Sequence, residues 1–194
     1  MALTLARPVH SELLIKKSRF LGCVQPVAGR AEALAVVDGL RAEHPGAAHV
    51  CWALLAGGQS AANDDGEPGG TAGRPMLEVL RHQQLEGVLA TVVRYFGGVK
   101  LGAGGLVRAY TDAVAQALLQ AQKLPLQRTL QFACRVPYAL EGMVRRELQE
   151  AGAVLGEVTH GEAVEIAFGV GEDVAPALRA RLNEAGQGQL HWIS

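Results

Sequence analysis

No stretch of this chain limits its fold more than VLATVVRYFGGVKLGAGGLVRAYTDAVAQAL, residues 88–118. The first nine residues are β-branched enough for a central strand. Leu106, Val107, Tyr110, Ala113, Val114, Ala117 and Leu118 then keep a 3.6-residue apolar period, with Arg108, Asp112 and Gln116 opposite. Five of the nine residues between the two patterns, 97–105, are glycine, so a strand must pass into a helix through a glycine-rich turn. A second segment of the same kind, NDDGEPGGTAGRP at residues 63–75, follows the buried strand HVCWALLA and precedes a short helix over residues 76–83. Twelve of the 24 glycines fall between Gly57 and Gly105. Glycine is costly to order, so this clustering wants a local cause: tight turns, or backbone that a ligand must approach closely. In a layout with parallel neighbouring strands, both segments leave the same edge of the sheet, where ligands tend to bind.

Around this centre, residues 12–16 and 19–27 read as two strands and residues 30–43 as a helix that stops before His44-Pro45-Gly46. The long helix is expected to run to Lys123, where Leu124-Pro125 closes a first domain, residues 1–125. Residues 126–194 read strand, helix, strand, strand, helix, strand (129–136, 140–151, 153–158, 162–170, 174–184, 189–193), a ferredoxin-like βαββαβ unit. The fold class expected is α+β in two domains.

The chain has 194 residues, 49% of them hydrophobic, which suffices for two cores. Its apolar runs are too short to cross a bilayer and no leader is evident at its start, so a cytoplasmic, membrane-free protein is expected. Three scattered cysteines, Cys23, Cys51 and Cys134, offer neither a disulfide framework nor a metal knuckle and read as buried thiols. Up to Lys123 there are 12 Lys/Arg against 10 Asp/Glu, a balance of +2; after it there are 6 against 9, a balance of −3. The back part is therefore an unlikely contact for a phosphate backbone, and neither part argues for nucleic acid on charge alone.

RYFGGVKLGAGG has what an anion cradle needs: bare backbone N–H groups, a positive helix start and the ammonium of Lys100. It is neither a Walker motif, because Leu101 follows the lysine, nor a dinucleotide fingerprint, because Val107 stands where the third glycine belongs. A sharp strand-to-helix turn and close helix packing account for the glycines equally well. Arg94, Lys100 and Arg108 with Tyr95, Phe96 and Tyr110 resemble a small basic and aromatic surface that pairs phosphates and stacks bases, although Phe96 and Tyr110, in phase with apolar neighbours, are better suited to a core. In the acidic segment Asp64, Asp65 and Glu67 could ligate magnesium, act as general acid and base, or satisfy turn backbone while Thr71 caps the next helix. His44 and His49 are set apart from that segment by a strand, which disfavours zinc. No serine or cysteine is paired with a histidine for acyl transfer, so no catalytic residue, metal ligand or cofactor is assigned.

DDGEPGGTAGRPML followed by VVRYFGGVKLGAGGLVRAYTDAV resembles the signature pair of the IMPACT family in its bacterial, YigZ-like form, and KKSRFLG and AHVCWA match it too. The resemblance implies an N-terminal βαβ-type domain like the second domain of a small-subunit ribosomal protein and domain IV of elongation factor G. It implies a translational regulator rather than an enzyme; eukaryotic members restrain an initiation-factor kinase by competing for its ribosome-associated activator. The binding surface it implies takes Asp64, Asp65, Gly66, Glu67, Gly69, Gly70, Thr71 and Arg74 from the first segment. From the second it takes Arg94, Tyr95, Gly97, Gly98, Lys100, Gly102, Gly104, Gly105 and Arg108. The function expected is a non-enzymatic, translation-linked regulator that contacts RNA or a ribosomal partner weakly and salt-sensitively through this surface. The alternative is a magnesium-dependent nucleotide- or phosphate-binding enzyme, by analogy with small-molecule kinases, using the glycine loop with Asp64, Asp65 and Glu67.

Overall fold

The computed structural model describes residues 2–193, and the chain divides into two compact units after Leu126. The first unit runs β1 (Leu3–Leu5), β2 (Val9–Ile15), β3 (Ser18–Pro26), α1 (Arg30–Glu43), β4 (His49–Ala56), β5 (Gln59–Asn63), α2 (Gly73–His82), β6 (Val88–Tyr95), α3 (Gly102–Leu118) and β7 (Lys123–Pro125). Five of its strands form a sheet in the order β2-β3-β6-β4-β5, and β1 pairs with β7 apart from it. Every strand pair in the large sheet is antiparallel, which corrects the parallel layout expected from sequence.

Period-two alternation divides the sheet into two faces. Cys51, Ala53 and Leu55 of β4 and Val88, Ala90 and Val92 of β6 pack with Phe20, Met76, Leu80, Tyr110 and Val114, under α2 and α3. Val50, Trp52 and Leu54 with Leu89 and Val93 pack on the other face with Ala33 and Val37 of α1. Burying β6 on both faces explains why its sequence is nearly unbroken in apolar residues.

Three boundaries differ from the sequence reading in ways that matter. Residues 59–63 form β5, because Gly57 and Gly58, at φ 62° and 73°, let β4 fold back on itself. The acidic segment therefore starts beside the beginning of β4, not beyond its end. Gly102, Gly104 and Gly105 lie in the first turn of α3 rather than ahead of it. That helix ends at Leu118, short of Lys123, whose residue pairs in β7 with Leu5.

The second unit runs β8 (Thr129–Val136), α4 (Tyr138–Glu150), β9 (Val154–His160), β10 (Val164–Gly171), α5 (Ala175–Gly186) and β11 (His191–Ile193). Its sheet order β11-β8-β10-β9, antiparallel throughout, is the ferredoxin-like arrangement. Val144 and Leu148 of α4 and Leu178 and Leu182 of α5 cover Ile166 and Phe168. Among the described residues no helix is long and apolar enough to cross a membrane.

Candidate functional site

Both β5 and β6 run antiparallel to β4, which lies between them, so their ends point the same way. The two glycine segments leave the same edge of the sheet for this reason. The start of β3 reaches that edge as well, since Arg19 is the partner of Tyr95. His49 lies opposite Arg94 in the β4–β6 ladder, and both side chains fall on the α3 side.

At this edge Glu67 is nearly sealed, with its side chain 3% exposed against 6% for Arg94. Arg94 Nη1 donates to Glu67 Oε1 at 2.6 Å, and the Tyr110 hydroxyl donates to the same oxygen at 2.7 Å. The Arg94 guanidinium carbon sits 5.4 Å from the Phe20 ring centre and 5.5 Å from that of Phe96, and Nη2 donates to Ser18 Oγ. Two charges so far from water hold together because each neutralises the other, with the Tyr110 hydroxyl on Glu67 and the Ser18 hydroxyl on Arg94 adding to the contact; among the described residues Arg94 Nε is left without a partner. Beneath them Cys51 lies 3.4 Å from the Tyr110 hydroxyl. Burial pushes the Cys51 thiol up to about 12, and burial raises the Tyr110 phenol as well. Neither is a nucleophile at neutral pH.

The other two acids of the segment hold its shape. Asp64 accepts three backbone N–H groups, from Gly70 and Gly73 at 2.8 Å and from Ala72 at 3.2 Å. Burial alone would raise its carboxyl, but the amides of Gly70, Gly73 and Ala72 outweigh that and hold it below the ordinary value. Asp64, not Thr71, thus serves the start of α2; the Thr71 hydroxyl donates to the Pro68 carbonyl at 2.6 Å. Asp65 Oδ2 accepts the Val50 N–H at 2.7 Å and Oδ1 pairs with Arg41 at 3.3 Å. Asp64, Asp65 and Glu67 therefore face separate protein donors, and no group of three metal-ligating side chains gathers among the described residues.

Glu67 and Pro68 from the first segment and Lys100, Gly102 and Ala103 from the second wall one cleft of about 440 Å³, with Arg94, His49, Phe96, Leu101 and Leu106. Its volume is in the range of small-ligand sites. Gly70 and Arg74 instead line a separate cavity of about 570 Å³ with Val107 and Thr111 of α3. Gly69 is exposed, and Gly66, at φ 83°, packs near the His49 ring. Tyr95 lies on the opposite face of the sheet from Arg94, its hydroxyl 2.7 Å from His44 Nδ1, because neighbours on a strand cannot share a face. Gly97 is a packing device: a Cβ there would stand 2.0 Å from the Lys17 carbonyl carbon. Gly98, Gly104 and Arg108 are exposed, and Gly105 is half-buried against Leu101.

Three residues stand differently from the sequence reading. Arg94, read as part of a basic surface, is buried, whereas Phe96, read as more suited to a core, is 53% exposed at the cleft. His49 was set apart from the acidic segment by its strand, yet the β4–β5 hairpin brings its Nδ1 to 2.8 Å from the Asp65 carbonyl. The signal for His49 was present: in HVCWALLA it shares a face with Cys51, the face that β6 presents at even positions.

An antiparallel five-stranded sheet covered by helices on both faces, with a cleft between two glycine-rich turns and a ferredoxin-like unit downstream in the chain, defines a class of two-unit α+β proteins. Residues 16–118 match the Impact N-terminal domain, and residues 134–189 match a domain of unknown function, DUF1949. The chain is 38% identical over 182 residues to an IMPACT family member of Haemophilus influenzae, covering 91% of this chain and 88% of that protein. It is 40% identical over 182 residues to an IMPACT family member of Thermus thermophilus, covering 93% and 99%. With YigZ of Escherichia coli it shares 47% identity over 135 residues, 65% of this chain and 66% of that one. A crystal structure of a protein described as hypothetical superposes with a TM-score of 0.82 at 33% identity, covering 100% of this chain and 96% of that one. The chain belongs to the IMPACT family.

Proposed function

We propose that this protein is a non-enzymatic, translation-linked regulator that binds RNA through the cleft of its N-terminal unit. The observation that carries the reading is the cleft itself, built jointly by both glycine segments and rimmed by groups suited to a phosphate. Gly102, Ala103 and Gly104 are exposed, and no side chain caps the start of α3, so its first N–H groups and the positive end of its dipole are open. Lys100 is exposed beside them. Lys16 and Lys17 are exposed at the β2–β3 turn with φ of 45° and 68°, and the Lys17 backbone abuts Gly97. Left-handed backbone at both is what a two-residue hairpin turn between the paired Ile15 and Ser18 requires, and it sets two lysines in succession at this edge. Phe96 supplies an exposed ring for a base. The magnesium-enzyme alternative would need Asp64, Asp65 and Glu67 to converge, and their separate partners leave it without support.

The test is binding of a short single-stranded RNA between 50 and 200 mM salt, with co-sedimentation on ribosomes in parallel. Removing two phosphate-facing lysines, Lys17→Ala with Lys100→Ala, should reduce the slope of log affinity on log salt by about 1.4. An unchanged slope and affinity, or no RNA binding by the unaltered protein, would overturn the reading.

A further inference from the structure

The most buried polar group of the cleft is an acceptor. All three contacts of Glu67, with Arg94 Nη1, the Tyr110 hydroxyl and His49 Nε2, converge on Oε1. Among the described residues no hydrogen bond reaches Oε2. That oxygen is not sealed either, since among the described residues Arg94 Nε is the sole buried side-chain nitrogen or oxygen without a partner. Glu67 lines the cleft, and its Oε2 keeps unused lone pairs. An acceptor left unpaired on so buried a side chain is unfavourable, and a donor from outside would relieve it.

His49 adds a second acceptor. Its Nδ1 lies 2.8 Å from the Asp65 carbonyl oxygen, which can only accept, so Nδ1 carries the proton. In the tautomer with Nδ1–H, the other ring nitrogen, Nε2, is an acceptor at the cleft, 3.6 Å from Glu67 Oε1. Two acceptors side by side call for two adjacent donors.

Charge decides what bears them. Arg94 already neutralises Glu67, while Lys100 and the open end of α3 make the rim positive, so an ammonium or guanidinium is disfavoured. The donors must be neutral and belong to a molecule that is anionic elsewhere. The remaining walls, Pro68, Phe96, Leu101 and Leu106, suit a flat ring. A nucleobase joined to a phosphate meets every condition. Guanine alone among the common bases carries two adjacent donors, N1–H and the N2 amine; adenine and cytosine set an acceptor beside their amine, and uracil flanks its one N–H with carbonyls.

We propose that the cleft holds one guanine base, its N1–H and N2 amine donating to Glu67 Oε2 and His49 Nε2, its ring against Phe96 and its phosphate at Lys100 and the start of α3. This rests on the RNA reading and adds base identity to it. The same chemistry is offered by a guanine within a strand or by free guanosine monophosphate.

The experiment measures fluorescence anisotropy of labelled r(UUGUU), r(UUIUU), r(UUAUU) and r(UUUUU) on the full chain, with guanosine monophosphate as competitor. The guanine pentamer should bind about tenfold more tightly than the adenine or uracil pentamers. Inosine, which lacks the N2 amine, should lose a few-fold, a comparison that needs no altered protein. Glu67→Gln, which turns an amide donor into the cleft, should bring guanine down to the level of adenine. Guanosine monophosphate displacing the pentamer at similar concentration would assign a free-nucleotide site; a much tighter pentamer would assign a strand. Equal binding of all four pentamers overturns the guanine assignment and leaves the RNA reading standing, and equal binding of guanine and inosine overturns the two-donor contact. Failure of every pentamer to bind overturns both.

Discussion

Replacing Arg94 by methionine should destabilise the N-terminal unit by about 3–5 kcal/mol, the cost of leaving one member of a buried ion pair uncompensated. The structure sets this scale. Both side chains are nearly dry, at 6% and 3% exposure, and their contact is 2.6 Å. Methionine fills much of the arginine stem's volume, so the loss is electrostatic rather than a cavity. It also removes the guanidinium from between Phe20 and Phe96, each contact worth on the order of 0.5–1 kcal/mol. Removing both charges together, Arg94→Met with Glu67→Leu, should recover at least about 2 kcal/mol of that loss, since an apolar pair has no buried charge to strand. Urea unfolding followed by fluorescence can isolate the effect, because Trp52 lies in the N-terminal core and Trp192 in the other unit. A Trp192→Phe background leaves Trp52 as the reporter. A single-variant cost below about 1 kcal/mol, the range of surface ion pairs, would refute the claim that the pair is desolvated. So would a double variant whose cost equals the sum of the two single ones.

Gly104→Ala should raise stability by about 0.5–1 kcal/mol, since its added methyl meets nothing within 4 Å and the position is helical; thermal unfolding reads this, and RNA affinity should fall if the bare first turn of α3 meets a ligand. Gly97→Ala should destabilise by at least about 1–3 kcal/mol, because its Cβ would overlap the Lys17 backbone. If thermal unfolding ranks these two variants the other way round, the division between packing and recognition glycines fails. Asp64 has a folded-state pKa below its ordinary 3.8, because its backbone amide partners outweigh burial. Its contribution to stability is therefore complete above pH 3.8 and lost as pH falls through the lower folded value. Asp64→Asn should flatten the acid limb of a stability–pH curve; an unchanged limb would remove Asp64 from the account.

Regular elements with a strong apolar period were legible in the sequence, α3 and β6 above all. Burial had to follow from that pattern whichever neighbours the elements found. The short strands β1, β5 and β7 were not, since three to five residues carry too little periodicity and their pairing is set by partners distant in the chain. For the candidate site, the meeting of the two glycine segments was foreseen on a mistaken premise of parallel strands. Two antiparallel steps across β4 restore the same direction. Tyr95 and Arg94 were grouped although adjacent strand residues face opposite ways, a rule that sequence alone supplies.

What residue order determined here is local: where backbone can turn without a side chain, which strand must be buried on both faces, and which helix starts bare. Tertiary structure decided which charges lose their water. Glu67 and Arg94 are 27 positions apart and read as loop acid and surface base, until the β4–β5 hairpin carries the acidic segment back over β6 and α3 closes above both. Solvation is a property of everything packed around a group, so two ordinary charges became one buried neutral pair at the floor of a cleft.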